Sequence, residues 1–66
     1  MKNNLRVQRA ILNITQAELA ERIGVSRQTI NAIEAGKYIP STVLALKLAK
    51  VFRAAVDEIF LLEPND

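Results

Sequence analysis

Apolar residues recur at helical spacing through residues 16–35, in the stretch QAELAERIGVSRQTINAIEA. The pattern divides at Gly24, because a turn with φ above zero costs a residue with a Cβ atom about 1 kcal/mol or more. Ala20 is small where the two halves would touch. Two short amphipathic helices joined by a glycine turn predict a helix-turn-helix. The apolar positions that would hold the helices together are Leu19, Ile23, Val25, Ile30 and Ile33.

Capping residues mark the ends of these two helices. Thr15 and Glu18 have the spacing of a capping box, and Ser26 is the expected N-cap of the second helix. Gly36 is expected to end that helix in the left-handed conformation.

A helix before this motif is predicted from Leu5 to Leu12, with Asn4 as its N-cap and Asn13 as a left-handed end. Gln8 lies in the middle of its apolar side, where it is either a satisfied buried amide or an interface group. The apolar side itself carries Leu5, Val7, Ile11 and Leu12.

Two more helices are predicted after the motif. Ser41 follows Pro40 and caps a helix over Thr42–Phe52 that is apolar nearly all round, as expected in the middle of a bundle. A left-handed Arg53 and a short helix from about Val56 to Leu61 follow. The fold class is therefore all-α, a compact five-helix bundle in a single domain over residues 1–66.

Composition narrows the possible functions. Half of the 66 residues are apolar, and the chain contains neither cysteine nor histidine. Disulfides, thiolate chemistry, zinc-finger ligation and histidine general bases are thereby excluded. We expect no enzyme activity, no cofactor and no metal.

Charge is distributed unevenly along the chain. Residues 27–53 hold five basic residues and one acid, Glu34, whereas residues 54–66 hold four acids and no base. The positive charge of this middle segment favours binding of a polyanion to one face of the protein. No signal peptide or bilayer-spanning segment is apparent, which leads us to expect a cytoplasmic protein that has no membrane partner.

The outward face of the predicted helix after Ser26 carries side chains able to read DNA bases. Counting 100° per residue, Gln28, Asn31 and Ala32 face outward, with Arg27 on the leading rim and Thr29 towards the turn. Gln and Asn can pair with adenine and Arg with guanine in the major groove. The alternative is that these are ordinary exposed helix residues, and the joint helix-turn-helix pattern favours base contacts.

Phosphate contacts are predicted on both sides of this helix. Gln16 lies in the first turn of the preceding helix, where we expect its side-chain amide and nearby backbone N–H groups to contact one phosphate, helped by the helix dipole. Ser26 at the turn and Lys37 and Tyr38 after the helix complete the set, although Tyr38 is equally suited to packing.

The segment TQAELAERIGVSRQTINAIEAGKYIPS resembles the helix-turn-helix of phage-repressor type, the Cro/CI or Xre family of DNA-binding proteins. The resemblance covers nearly the whole chain and implies a five-helix bundle that binds operator DNA as a dimer, usually to repress transcription. It assigns Gln16 to a phosphate and Arg27, Gln28 and Asn31 or Ala32 to bases. It also implies a partly buried ion pair between Arg9 and Glu34.

Dimerisation is also expected from the length of DNA that has to be read. One recognition helix reads about four base pairs, which gives too little specificity for a genome, and a two-fold pair doubles the site. The expected dimer interface is the end of the helix over Thr42–Phe52, the short helix after it and the C-terminal tail. Part of that tail is suited to pair as a short strand with residues 2–4. The interface residues would be Ile59, Phe60, Leu61 and Leu62.

Two other functions fit the sequence. One is a DNA-binding antitoxin whose acidic, apolar C-terminus covers a basic toxin. The other is a protein-interaction adaptor that keeps the fold, but residues 27, 28, 31 and 37 are Arg, Gln, Asn and Lys rather than the acidic or bulky apolar residues that an adaptor would carry there.

Overall fold

The computed structural model describes residues 1–66 and contains five helices and a two-stranded antiparallel sheet. The fold class predicted from the sequence is confirmed. None of its helices has the length and apolar character needed to cross a membrane. The elements in chain order are β1 (Lys2–Asn3), α1 (Leu5–Leu12), α2 (Gln16–Ile23), α3 (Arg27–Glu34), α4 (Thr42–Phe52), α5 (Val56–Ile59) and β2 (Phe60–Leu61).

The predicted helix starts are confirmed for α2, α3 and α4. Thr15 and Glu18 form the reciprocal capping box, with the Glu18 N–H donating to Thr15 Oγ1 at 3.0 Å. Ser26 and Ser41 accept from the third backbone N–H of α3 and α4 at 3.2 Å each. Each cap satisfies a donor that has no partner within its helix.

The core is a single cluster of eleven buried apolar residues from every helix, from β2 and from Ile14 between α1 and α2. It lies mainly between α2 and α3, with α4 and α5 closing it from the other side. The completely buried side chains are Leu5, Leu19, Ile30, Ile33, Leu48 and Ile59.

The apolar side predicted for α1 does not face the core. Only Leu5 is buried, while Val7 and Ile11 are 57% and 70% exposed and Leu12 is also exposed. The inward direction of α1 is occupied by Leu5 and by Arg9, which turns towards α3. Gln8 is half-buried.

The expectation that α4 is covered on nearly all sides is also wrong. Leu48 and Phe52 are its only buried residues, and Val43 and Leu46 are 61% and 58% exposed. The bundle covers α4 on one side only, because five short helices cannot surround it.

The C-terminal helix is shorter than predicted. It ends at Ile59, and the chain continues as β2, with Lys2 opposite Leu61 and Asn3 opposite Phe60. The suggested pairing of the tail with residues 2–4 is thereby confirmed. Ile59 and Phe60 are buried in the core of the chain itself, which corrects their assignment to a dimer interface. Of that set, Leu61 and Leu62 are exposed.

Two asparagines connect the sheet to the helices. Asn3 Nδ2 donates to the carbonyl of Ile33 at 2.8 Å, and Asn3 Oδ1 accepts from the Leu5 N–H. Asn4 donates through Nδ2 to the carbonyl of Glu58 and makes no side-chain cap. Asn4 is therefore at the N-cap position of α1 as predicted but its side chain makes no cap bond, and Asn3 satisfies only the first N–H of the helix, that of Leu5.

Candidate nucleic-acid interface

The turn between α2 and α3 has the conformation predicted for Gly24. Gly24 has φ 75° and ψ 35°, in the left-handed region, and the Val25 N–H donates to the carbonyl of Ala20 at 3.0 Å. Ala20 is 3% exposed, as required of a small residue where two helices cross closely. The turn holds α3 against α2 through Ile30 and Ile33 and leaves the opposite face of α3 in solvent.

Three predicted base-reading residues share that solvent face. Arg27, Gln28 and Asn31 are exposed, whereas Thr29 and Ala32 are half-buried. The Thr29 hydroxyl lies 3.0 Å from Ser26 Oγ, so both hydroxyls are engaged in the cap of α3. Arg27 and Gln28 have no hydrogen bond or ion pair from their side chains within the chain, and their full donor and acceptor capacity is available to a ligand.

The ion pair between Arg9 and Glu34 is present and lies behind the solvent face of α3. Arg9 Nε and Nη2 donate to the two carboxylate oxygens of Glu34 at 2.6 and 3.1 Å, and Arg9 Nη1 donates to the carbonyl of Ile14. The Glu34 side chain is only 2% exposed. This bidentate contact joins α1 to α3 in a geometry that favours Arg over Lys.

Two further groups contact the same carboxylate. Gln16 Nε2 donates to Glu34 Oε1 at 3.2 Å, and Arg6 Nε lies 3.5 Å from that oxygen. Burial alone would raise the pKa of Glu34, but the hydrogen bonds from Arg9 and Gln16 outweigh burial and leave the pKa below its ordinary value. Glu34 therefore stays ionised, and its charge is balanced by Arg9.

Gln16 links this buried pair to the surface. Its Nε2 also lies 3.4 Å from Asn31 Oδ1. The Gln16 side-chain amide is thus directed across the interface between α2 and α3, which corrects the expectation that it faces a phosphate and leaves the backbone N–H of Gln16 as the free donor. Sequence reasoning missed this connection, because the partners of Gln16 are separated from it by 15 and 18 residues.

The N-terminus of α2 presents free donors. The capping box uses the N–H groups of Thr15 and Glu18, and the intervening N–H groups of Gln16 and Ala17 have no partner in the chain. They adjoin an open cavity of about 440 Å³ whose lining includes Arg9 and Arg27. Two unpaired N–H groups at the positive end of a helix, beside the unpaired guanidinium group of Arg27, form an arrangement suited to a phosphate, whereas Arg9 is already paired with Glu34.

A second set of donors follows α3. The N–H groups of Gly36 and Lys37 donate to the carbonyls of Ile33 and Ala32, the two bonds of a Schellman motif. Gly36 has φ 75°, as predicted. The motif reverses the chain, so that the exposed side chains of Lys37 and Tyr38 follow the end of α3, and the backbone N–H of Tyr38 has no partner in the chain.

The described chain contains no cluster of acidic side chains able to hold a metal ion. The chemistry of this face is instead that of exposed amide and guanidinium donors on one helix, with backbone N–H donors on either side. That combination matches the division of protein–DNA contacts into base edges and phosphates.

Comparison with known proteins gives a consistent result. The helix-turn-helix family pattern matches residues 5–59. Two proteins named as uncharacterised HTH-type transcriptional regulators match over the full length of both chains: one from Methanocaldococcus jannaschii is 53% identical, and YgzD of Bacillus subtilis is 46% identical. RstR, named as a transcriptional repressor of the cryptic phage CTXphi in Vibrio cholerae, is 32% identical over 59 residues, which cover 89% of this chain and 53% of RstR. The chain belongs to the helix-turn-helix family of Cro/CI type and is a transcriptional regulator with a helix-turn-helix DNA-binding domain.

Proposed function

We propose that this regulator is a cytoplasmic, sequence-specific repressor that binds a palindromic operator as a homodimer. The recognition helix, Arg27–Ala35, lies in the major groove and presents its N-terminal end to the bases. Repression follows if the operator overlaps a promoter, because the bound dimer then excludes polymerase. The name of RstR supports repression over activation.

One observation supports the proposal: two side chains suited to read bases have no partners in the chain, and α3, which carries them, is preceded by the free N–H groups of Gln16 and Ala17 and followed by that of Tyr38. Arg27 suits guanine O6 and N7, and Gln28 suits adenine N6 and N7. Asn31 can read adenine too, once its contact with Gln16 is exchanged for the base. The half-buried Ala32 can contact only a thymine methyl.

Phosphate contacts set the register of the helix in the groove. The N–H groups of Gln16 and Ala17 would bind one phosphate at the start of α2, with Ser26 Oγ near the turn. Lys37 and the Tyr38 backbone would bind another across the groove. Contacts of this kind add affinity for any duplex, and only the α3 side chains make that affinity depend on sequence.

The proposal is tested by selecting duplexes from a random library and measuring affinity at about 150 mM salt, where a specific site binds roughly 10³-fold or more tightly than a scrambled one. In Gln28→Ala, each lost bidentate contact should cost about 1–3 kcal/mol of discrimination. Affinity for the scrambled duplex should stay unchanged.

Gln8→Ala is the matched control, since it removes the same amide from α1, away from the recognition helix. Equal, weak and strongly salt-dependent binding of the wild-type protein to all duplexes would contradict sequence reading. A selected site without two-fold symmetry would contradict the palindromic operator.

A further inference from the structure

Three side chains connect the interior of the protein to the solvent face of α3. Glu34 is buried with its side chain 2% exposed, Gln16 is half-buried and Asn31 is exposed. The amide nitrogen of Gln16 contacts both of the others, because its Nε2 lies 3.2 Å from Glu34 Oε1 and 3.4 Å from Asn31 Oδ1. We call this connection from Glu34 through Gln16 to Asn31 the Gln16 bridge. It joins a buried charge to a side chain proposed to read a base.

The charge of Glu34 determines which way the Gln16 amide points. A carboxylate only accepts hydrogen bonds, so it attracts the NH₂ group of an amide and repels the carbonyl oxygen. This preference is stronger in the protein interior than in water, because the local dielectric is lower. The carboxylate cannot turn away, since Arg9 donates to both of its oxygens at 2.6 and 3.1 Å. The NH₂ group of Gln16 is therefore directed at Glu34, and its second N–H faces Asn31.

The orientation of Gln16 in turn determines that of the Asn31 amide. The 3.4 Å contact between Gln16 Nε2 and Asn31 Oδ1 is long for a hydrogen bond, but the reversed Asn31 amide would bring two NH₂ groups together. The oxygen of Asn31 is thus directed inward. Its Nδ2 makes no hydrogen bond within the chain, so the free polar atom of Asn31 is a donor.

We propose that Gln16 is a positioning residue that makes Asn31 read a keto base, guanine or thymine, in preference to adenine. This inference rests on the proposed function, in which α3 lies in the major groove. Guanine O6 and N7 and thymine O4 are all acceptors, so Asn31 Nδ2 can bind them while the Gln16 bridge is kept.

The other two bases fit the Gln16 bridge less well. Adenine pairs with both the oxygen and the nitrogen of an asparagine amide, so it has to displace Gln16 from Asn31 Oδ1. The donor is then left beside Glu34 with one N–H unpaired. Cytosine offers an N4 donor, which would oppose the Nδ2 donor of Asn31.

The experiment first identifies the base pair that Asn31 contacts. Wild type and Asn31→Ala each select duplexes from a random library, and the contacted pair is the one whose preference disappears in the variant. Gln16→Met then removes the amide from a side chain of similar length and leaves the backbone N–H of Gln16 in place. Gln8→Met is the matched control on α1, and thermal melts establish that both variants are folded.

We expect Gln16→Met to change the preferred base at this pair alone. With Oδ1 released, Asn31 can pair with adenine through both atoms, and the variant should bind the adenine duplex about five-fold or more tightly than the duplex that wild type prefers. Gln8→Met should keep the wild-type preference. If the wild-type pair contains adenine, replacing it by deaza-adenine, which lacks N7, should leave wild-type affinity within about two-fold, because thymine is the base that is read.

Several results would overturn the inference. One is the same preferred base in Gln16→Met and wild type, including the case in which the variant binds all duplexes more weakly, as expected if the Gln16 side chain contacts a phosphate. Another is a loss of wild-type affinity with deaza-adenine, which tests the inference even if Gln16→Met does not fold. A third is an Asn31→Ala variant with unchanged preferences.

The inference and the proposed function fail in distinguishable ways. Wild-type binding that is sequence-specific and weakened in Gln28→Ala, together with adenine as the base read by Asn31, would contradict the inference alone. Equal binding of wild type to every duplex would contradict both.

Discussion

Arg9→Ala removes the bidentate partner of a carboxylate that the fold keeps almost completely from water. Breaking one partner of a buried ion pair costs about 3–5 kcal/mol, because the remaining charge is left without compensation. Glu34 is 2% exposed but retains Gln16 at 3.2 Å and Arg6 at 3.5 Å, so we expect the lower end, about 3 kcal/mol. In a domain of this size that corresponds to a fall in Tm of roughly 12–24 °C.

The measurement is urea unfolding at several pH values, with Arg6→Ala as the matched control. Arg6 contacts the same carboxylate oxygen, but its side chain is 78% exposed, so its removal should cost less than about 1 kcal/mol. A urea midpoint for Arg9→Ala equal to that of the wild type would refute a stabilising role for the pair between Arg9 and Glu34.

The pH dependence provides a second test of the same pair. The pKa of Glu34 is lowered in the folded protein, so its stabilising contribution is present above the unfolded carboxyl pKa of about 4.3 and is lost as pH falls through the folded value. Without Arg9, burial opposes ionisation, and the carboxyl group protonates more readily in the folded state. The stability difference between the two proteins should therefore shrink as pH falls from 7 towards 4. A constant difference would mean that Arg9 acts through packing alone.

Three other predictions concern backbone strain, a helix cap and a phosphate contact. Arg53→Gly should raise unfolding free energy by about 0.5–1 kcal/mol, because Arg53 has φ 52° and glycine adopts that conformation without a Cβ penalty; a lower Tm would contradict this. Ser41→Ala should cost about 1 kcal/mol by removing the acceptor of the Leu44 N–H, whereas an unchanged Tm would show that water replaces it. Lys37→Ala should weaken binding to all duplexes alike and reduce the salt slope by about one, with Lys50→Ala, which removes an exposed lysine from α4 outside the proposed interface, as control; a changed base preference would instead place Lys37 at a base.

Local chemistry made much of the fold predictable. A threonine followed three residues later by glutamate, or a glycine after the last helical turn, satisfies backbone groups within the same segment. Such bonds depend on neighbours in sequence, which is why the ends at Thr15, Gly24, Gly36 and Arg53 were all correctly predicted.

The errors arose where distant residues decide the outcome. Periodicity places Val7 and Ile11 on the apolar side of α1 but does not show which side of a helix finds a partner, and both residues are exposed. Arg9 occupies the inward side of α1 because it pairs with Glu34. This partner is 25 residues away in the sequence, so the local pattern of α1 does not reveal it. Similarly, α5 ends at Ile59 because Phe60 and Leu61 bond with β1 at the other end of the chain.

The residue types of the candidate site could be predicted from the sequence, but the hydrogen bonds that these residues make within the chain could not. Arg27, Gln28 and Asn31 are exposed on one face as the helical wheel indicated. The inward bond of the Gln16 amide depends on side-chain conformation and on the crossing of α2 over α3, neither of which periodicity specifies.

The Gln16 hydrogen bonds have a consequence for how this regulator can evolve. Glu34, Gln16 and Asn31 form one connected set, so replacing Asn31 alters the environment of a buried charge as well as the proposed base contact. The side chains of Arg27 and Gln28 make no hydrogen bond or ion pair that stabilises the fold. New operator preferences should therefore arise first at these two positions, where many substitutions cost no stability, and descendants altered at Asn31 should carry compensating changes at Gln16.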